Sequence, residues 1–228
     1  PPGRDPPPPF EDNALLARFR ALTRYHNLVI EGVPGTGKTH AFVQLKKHWD
    51  AMALATGRTN QLGTSKAITF HPATSYEDFV EGLRLGGKRV DNEKWFFDDA
   101  SEDSEWATTV GFFVAACRRV YSQPTADHLI LVDELNRANV PKVIGDLLTT
   151  LESGRRARYR GGAWQVDKVV PVTLPLSGRQ LFVPDNLFVI ATLNTTDRSV
   201  APLDAALRRR FAFERVWPMP VERLQVKL

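Results

Sequence analysis

Eight consecutive residues, Gly32-Val33-Pro34-Gly35-Thr36-Gly37-Lys38-Thr39, fit the pattern G-x-x-x-x-G-K-[ST]. Glycines there let the backbone curl until its N–H groups point inward, a concave row of donors suited to phosphate oxygens. A helix starting at Lys38 adds its positive N-terminal end. Lys38 supplies a point charge to the β and γ phosphates, and the Thr39 hydroxyl is placed to ligate Mg2+. Gly32, Val33, Pro34, Gly35, Thr36, Gly37, Lys38 and Thr39 therefore read as a binding loop for a nucleoside triphosphate with magnesium.

Two further runs end in groups that such a substrate needs. Leu129-Ile130-Leu131-Val132-Asp133-Glu134 delivers two carboxylates from a buried strand. Their roles divide: Asp133 joins Thr39 in the metal shell, and Glu134 polarises the attacking water. Leu187-Phe188-Val189-Ile190-Ala191-Thr192-Leu193-Asn194 repeats the design with one amide. Asn194 can donate to the γ-phosphate and accept from the lytic water, although an Asn that merely opens a turn would look the same. After Asp204, Arg208, Arg209 and Arg210 stand in a row. At helical spacing they cannot all face one partner, so their roles must differ. A planar, always ionised guanidinium suits transition-state charge on a transferred phosphoryl group; a basic helix terminus is the plainer alternative.

Bringing these groups together requires a parallel sheet whose strands end at one edge, where ligands bind in open α/β folds. Strands are expected at Leu28–Glu31, Ala67–Phe70, Leu129–Asp133, Leu187–Leu193 and Phe211–Val216. Helices are expected at Lys38–Trp49, Tyr76–Leu83, Thr108–Val120 and Val140–Leu151. The alternation predicts an α/β fold, a five-stranded parallel sheet with helices on both faces. Gly86–Glu105 reads as an irregular insertion and Gly154–Pro184 as one or two β-hairpins. Pro1–Pro9 cannot build a core and reads as a linker or tail, leaving residues 10–228 as one α/β unit.

The 228 residues carry a net charge of +4, which is compatible with a nucleic-acid partner without requiring one. No apolar run is long enough to span a membrane, and the proline-rich start is not a secretory signal. The single cysteine, Cys117, excludes an internal disulfide and lies in an apolar helical run, where core packing is expected. The expected compartment is the cytoplasm. The acidic stretch Asp91–Glu105 and the basic cluster Arg155, Arg156, Arg158 and Arg160 read first as solvated loops. Four arginines so close need an anion or water, so Arg155–Arg160 is also expected to face a ring axis or a partner.

In this order the motifs resemble the P-loop NTPase domain of AAA+ type found in the McrB family, the motor subunits of modification-dependent restriction systems. The likeness runs from about Leu28 to Phe213. Two stretches sharpen it. Thr69-Phe70-His71-Pro72-Ala73-Thr74-Ser75-Tyr76-Glu77-Asp78-Phe79-Val80-Glu81-Gly82 is similar to the family's strand-to-helix segment. Leu193-Asn194-Thr195-Thr196-Asp197-Arg198-Ser199 is similar to its Met-Asn-x-x-Asp-Arg-Ser motif, with Leu for Met. Asp133-Glu134-Leu135-Asn136-Arg137-Ala138-Asn139 resembles its extended Walker B motif.

The resemblance implies a hydrolase of GTP or ATP that works as a hexameric ring. With a McrC-like nuclease it would couple hydrolysis to movement along DNA, which another domain or the partner would read. It assigns Asn194 as the first sensor, Asp197 and Arg198 to the subunit interface, and Arg209 and Arg210 as the favoured trans-acting arginines. The small helical lid that follows the fifth strand in AAA+ modules is expected to be absent. The base pocket is expected near Phe10–Ala21. Two other classes fit the same fold: a MoxR-like chaperone and a scaffold that binds nucleotide without hydrolysis. The Tyr76–Gly82 and Asn194–Ser199 stretches speak against the first, and the pairing of Glu134 with Asn194 against the second.

Overall fold

The computed structural model describes residues 13–55, 62–85, 106–196 and 205–217. α1 (Asn13–Tyr25) leads into β1 (Asn27–Gly32), α2 (Lys38–Ala55) and β2 (Leu62–Thr69). The short α3 (Tyr76–Phe79) precedes β3 (Glu81–Leu85) and β4 (Trp106–Val110), and α4 (Phe112–Ser122) returns the chain to β5 (Asp127–Asp133). Next come α5 (Val140–Ile144), α6 (Leu147–Thr150) and four short strands: β6 (Arg158–Arg160), β7 (Ala163–Gln165), β8 (Val172–Thr173) and β9 (Gln180–Leu181). β10 (Leu187–Asn194), α7 (Ala205–Arg208) and β11 (Ala212–Arg215) complete the described chain.

Five strands form one parallel sheet in the order β11-β1-β10-β5-β2. All five expected strands are in it. Both faces are covered, which is why the central strands read as continuous apolar runs rather than alternating ones. Leu28, Ile30, Leu129, Leu131 and Ile190 face a core that includes Leu22 and Leu45. Val29, Ile130, Val132, Val189 and Ala191 face the other, with Phe79, Phe113, Cys117 and Leu147. Cys117 is fully buried in that core, and burial pushes its thiol well above the usual range. Among the described residues no helix is long and apolar enough to cross a membrane.

All four expected helices differ in extent: the one expected as Lys38–Trp49 runs on to Ala55, and the other three are shorter or divided. The segment expected as Tyr76–Leu83 is helical only to Phe79, then extended in β3, which pairs antiparallel with β4. Ser75 and Asp78 start this helix with a reciprocal capping box. From Glu81 the chain is extended and paired with β4, and the Glu81 carboxylate, 3% exposed, accepts hydrogen bonds from the N–H groups of Leu176 (2.8 Å) and Ser177 (3.2 Å). That bond ties the base of the β3–β4 pair to the β8–β9 turn. The helix expected from Thr108 starts at Phe112, after the strand β4 and the N-cap Gly111. A Cβ on Gly111 would lie 2.5 Å from Phe79 C and Val80 N, so the chain crosses there only as glycine. Val140–Leu151 is divided at Gly145, whose φ of 55° ends α5.

The region Gly154–Pro184 does form two hairpins, β6–β7 and β8–β9. The basic cluster does not lie wholly in solvent, however. Arg155, Arg158 and Arg160 are exposed, but Arg156 is only 2% exposed. Its guanidinium donates to the carbonyls of Leu151, Pro184 and Leu187 and to Asn27 Oδ1. Enough fixed acceptors converge to stand in for water, so Arg156 is a buried cross-link and not part of a solvated face. Residues 1–12, the insertion 86–105 and residues 218–228 lie outside the described residues.

Candidate functional site

β1, β10 and β5 are neighbours, and their register brings the motif residues to one edge. Gly32 lies opposite Asn194, and Thr69 opposite Asp133. The loop after β1 turns through Gly35 (φ 79°) and Gly37 (φ 78°), backbone conformations that side-chain-bearing residues seldom adopt. A Cβ on Gly32 would sit 2.6 Å from Val216 O, so the loop also needs glycine where it passes the end of β11. Thr36 Oγ1 donates to Val33 O at 2.9 Å. α2 begins at Lys38, as expected, with its N-terminus at the loop.

Lys38 Nζ donates to Gly32 O (2.9 Å) and Val33 O (2.8 Å), so the ammonium is held over the loop mouth. Partial burial lowers its pKa below the usual lysine range, opposed by the negative charges of Asp133 and Glu134. Thr39 Oγ1 lies 3.4 Å from Asp133 Oδ2. The pair offers hard oxygen donors across two elements. Mg2+ characteristically takes one or two protein oxygens and fills its octahedron with water and phosphate, so these two side chains fit that ion.

Thr192, one strand over, is a residue the motif reading missed. Its hydroxyl donates to Asp133 Oδ1 and accepts from the Glu134 N–H at 2.9 Å. The carboxylate is thereby oriented from behind while Oδ2 stays turned toward Thr39. Glu134 adopts left-handed backbone (φ 53°, ψ 45°), a strain on the order of 1–3 kcal/mol for a non-glycine residue. This turns the chain sharply directly after Asp133, where β5 ends. The Glu134 carboxylate forms an ion pair with Arg137. Both side chains are substantially exposed, so the pair is worth no more than about 1 kcal/mol and leaves Glu134 free to exchange partners.

Asn136 is the second residue missed. Its Nδ2 donates to Asn194 O (2.8 Å) and its Oδ1 accepts from Asn194 N–H (3.3 Å). The Asn194 side chain meanwhile accepts from Thr196 N–H (3.2 Å) and Oγ1 (2.9 Å). It is thus at the strand end as expected, and it also shapes the turn that follows. The advance signal for Thr192 was its place two residues before Asn194, and for Asn136 its place in the stretch that resembles the extended Walker B motif, which gave it no role of its own.

The three arginines separate clearly. Arg208 lies over the Phe213 ring, 5.1 Å from its centroid. Arg210 Nη1 folds back to Ala206 O at 2.7 Å. Arg209 is exposed, and among the described residues its side chain has no hydrogen bond or ion pair. Asp197 and Arg198 lie outside the described residues. Of the stretch expected near the base, Phe19, Ala21 and Leu15 pack against the core of Leu22, Phe42 and Phe188, and Arg18 is bonded to Glu214 at 2.8 Å.

The chain's relatives among known proteins show its family. Residues 27–211 match the model of the AAA domain (dynein-related subfamily). The chain belongs to this AAA domain family. It is 33% identical over 206 residues to the Type IV methyl-directed restriction enzyme EcoKMcrB subunit of Escherichia coli, covering 88% of this chain and 37% of that protein. It is 24% identical over 221 residues to the Type II restriction enzyme BsuMI component YdiS of Bacillus subtilis, covering 87% of this chain and 60% of the relative. A solved Cytophaga hutchinsonii structure aligns over 91% of this chain and 46% of its own, at 16% identity and a TM-score of 0.49. This AAA domain therefore resembles the McrB subunit over most of its own length while spanning only 37% of that relative and 60% of the other.

Proposed function

We propose that this AAA domain hydrolyses GTP or ATP with Mg2+ and acts as the motor of a McrBC-like restriction system. The observation that carries the reading is the convergence of Thr39, Asp133, Glu134 and Asn194 on one sheet edge, with Thr39 Oγ1 3.4 Å from Asp133 Oδ2. Gly32–Thr39 would hold the phosphates, and Thr39 with Asp133 would hold the metal. Bound there, the ion would neutralise charge on the phosphates. Glu134 would accept a proton from the attacking water, and Asn194 would fix that water's position.

Among the described residues, the guanidinium at this constellation is that of Arg137, which is engaged by Glu134. Arg209, exposed and unengaged, is suited to serve a neighbouring subunit's site in a ring, with Arg210 supporting the turn and Arg198 at the interface. This narrows the sequence expectation, which favoured Arg209 and Arg210 equally. In the full-length protein the ring would be a hexamer, partnered by a McrC-like nuclease that cuts the DNA along which the ring moves. Similarity to restriction components from two bacteria supports that setting over a protein-remodelling one.

The test uses the full-length protein and measures turnover of ATP and GTP side by side. Lys38→Ala subunits and Arg209→Ala subunits, each inactive alone, should recover part of the activity when mixed, because some intact pockets then face an intact arginine. An arginine finger is worth about 10³–10⁵ in rate. Absence of recovery in rings shown to contain both subunits would remove the trans-acting arginine from the scheme.

A further inference from the structure

Asn27 and Arg156 form a buried polar node that the nucleotide site does not use. Asn27 is wholly buried, and Arg156 is 2% exposed. Asn27 Nδ2 donates to Leu151 O (2.7 Å) and to Arg210 O (2.9 Å), and its Oδ1 accepts from Arg156 Nη2 (2.6 Å). One amide thereby joins the start of β1, the end of α6, the lead into the β6–β7 hairpin and the arginine turn.

A node of this kind is costly. A guanidinium in a protein interior gives up strong hydration, and apolar residues of similar size could fill the space at less expense. Here its donors meet carbonyls and an amide oxygen, with no carboxylate among the hydrogen-bond partners. Burial lowers the Arg156 pKa to about 10, so the group still carries its charge at neutral pH. What polar groups provide that apolar ones cannot is direction: each bond holds a particular carbonyl at a particular angle.

The carbonyl that matters is that of Arg210. The turn is anchored on both sides by apolar burial, at Leu207 (1% exposed) and Phe211 (6%). Between those anchors Arg208 rests on Phe213 and the Arg210 side chain bonds to Ala206 O. The bond from Asn27 fixes the peptide immediately after the one Arg209 contributes. Without it, rotation of that short backbone stretch would be amplified along the Arg209 side chain. We propose that Asn27, oriented by Arg156, is the positioning residue for Arg209, setting where the guanidinium is presented to the neighbouring subunit. The inference rests on the proposed trans-acting role of Arg209.

The variant Asn27→Asp in the full-length protein tests it. The new carboxylate retains an acceptor for Arg156 and loses both N–H donors, so the Arg210 carbonyl is released while the buried guanidinium keeps its acceptor. Displacement of a catalytic group by about 1 Å can cost roughly 10²-fold in rate, so turnover should fall by about 10–10²-fold with triphosphate affinity unchanged. The decisive readout is asymmetric. Mixed with Lys38→Ala subunits, Asn27→Asp subunits should regain activity, since their pockets are sound and their neighbours' arginines are held correctly. Mixed with Arg209→Ala subunits they should regain none. Recovery in both mixtures, or turnover by Asn27→Asp equal to the parent's, overturns the proposal. Recovery in neither, or failure of both Asn27→Asp and the milder Asn27→Ser to fold, shows a general structural role and overturns it equally. The Lys38→Ala and Arg209→Ala mixture run alongside is the control. If that pair does not recover, the proposed function fails instead.

Discussion

The side chain of Asn136 holds both backbone groups of Asn194, donating to its carbonyl at 2.8 Å and accepting from its N–H at 3.3 Å. Asn136 lies two residues past Glu134 and Asn194 ends the adjoining strand, so one amide ties the segment bearing the proposed base to the proposed sensor. Asn136→Ala should lower turnover by about 10–10²-fold, since small displacements of positioned groups are expensive. Triphosphate affinity should hardly change. Steady-state kinetics paired with calorimetry will separate the two, and equal turnover in variant and parent would dismiss the clamp as incidental.

Lys38→Ala removes a point charge that the loop otherwise holds at its mouth. Triphosphate binding at fixed magnesium should weaken greatly while the thermal midpoint moves little. Calorimetric affinity matching the parent's would show that Lys38 does not meet the phosphates.

The two carboxylates at the end of β5 should separate by function. Glu134→Gln keeps the shape without the base, so bound triphosphate should persist while turnover falls by about two to four decades. Asp133→Asn should instead weaken magnesium-dependent binding, because it alters the oxygen aligned by Thr192 and facing Thr39. A magnesium titration of both variants checks the assignment, and identical behaviour would contradict it.

His26 offers a pH test independent of nucleotide. Burial, aided by the positive charges of Arg156 and Arg158, lowers its pKa from 6.5 to about 4. The unfolded chain therefore takes up this proton near pH 6.5 and the folded chain only near pH 4, so stability falls as pH drops through that window. His48 and His128 are shifted in the same direction by burial and add to the slope. His26→Asn keeps a residue tolerant of the φ of 62° and removes the titration. Urea unfolding between pH 7 and pH 4 should then show a shallower, not flat, loss of stability.

Sequence and structure agree best where apolar strands end in polar side chains. Leu129–Asp133 and Leu187–Leu193 were legible because a strand covered on both faces must be apolar throughout, and the polar residue that ends it then stands out. The span of α3 was not legible. Tyr76–Leu83 has an acceptable helical pattern, and the extended course from Glu81 goes with pairing to β4 and with a bond from a turn 95 residues later, neither of which is local. Arg156 was misread for a similar reason, since among four close arginines nothing local distinguishes the one whose acceptors come from Asn27, Leu151, Pro184 and Leu187. The roles of Thr192 and Asn136 were not legible because their partners lie on other elements of the sheet edge. The differing fates of Arg208, Arg209 and Arg210 depend on Phe213 and on the curl of a turn, which spacing alone cannot reveal.

The strand order has a consequence for how the chain is made. β1, which leads into the phosphate loop, pairs with β10 and β11, both drawn from the last quarter of the sequence. A ribosome adding about 5–20 residues per second would need roughly ten to thirty seconds after finishing β1 to supply the first of those neighbours. During that interval Leu28, Val29 and Ile30 have helices to lean on but no strand beside them. The nucleotide loop, encoded before them, can therefore take its final shape only once β10 and β11 have been made.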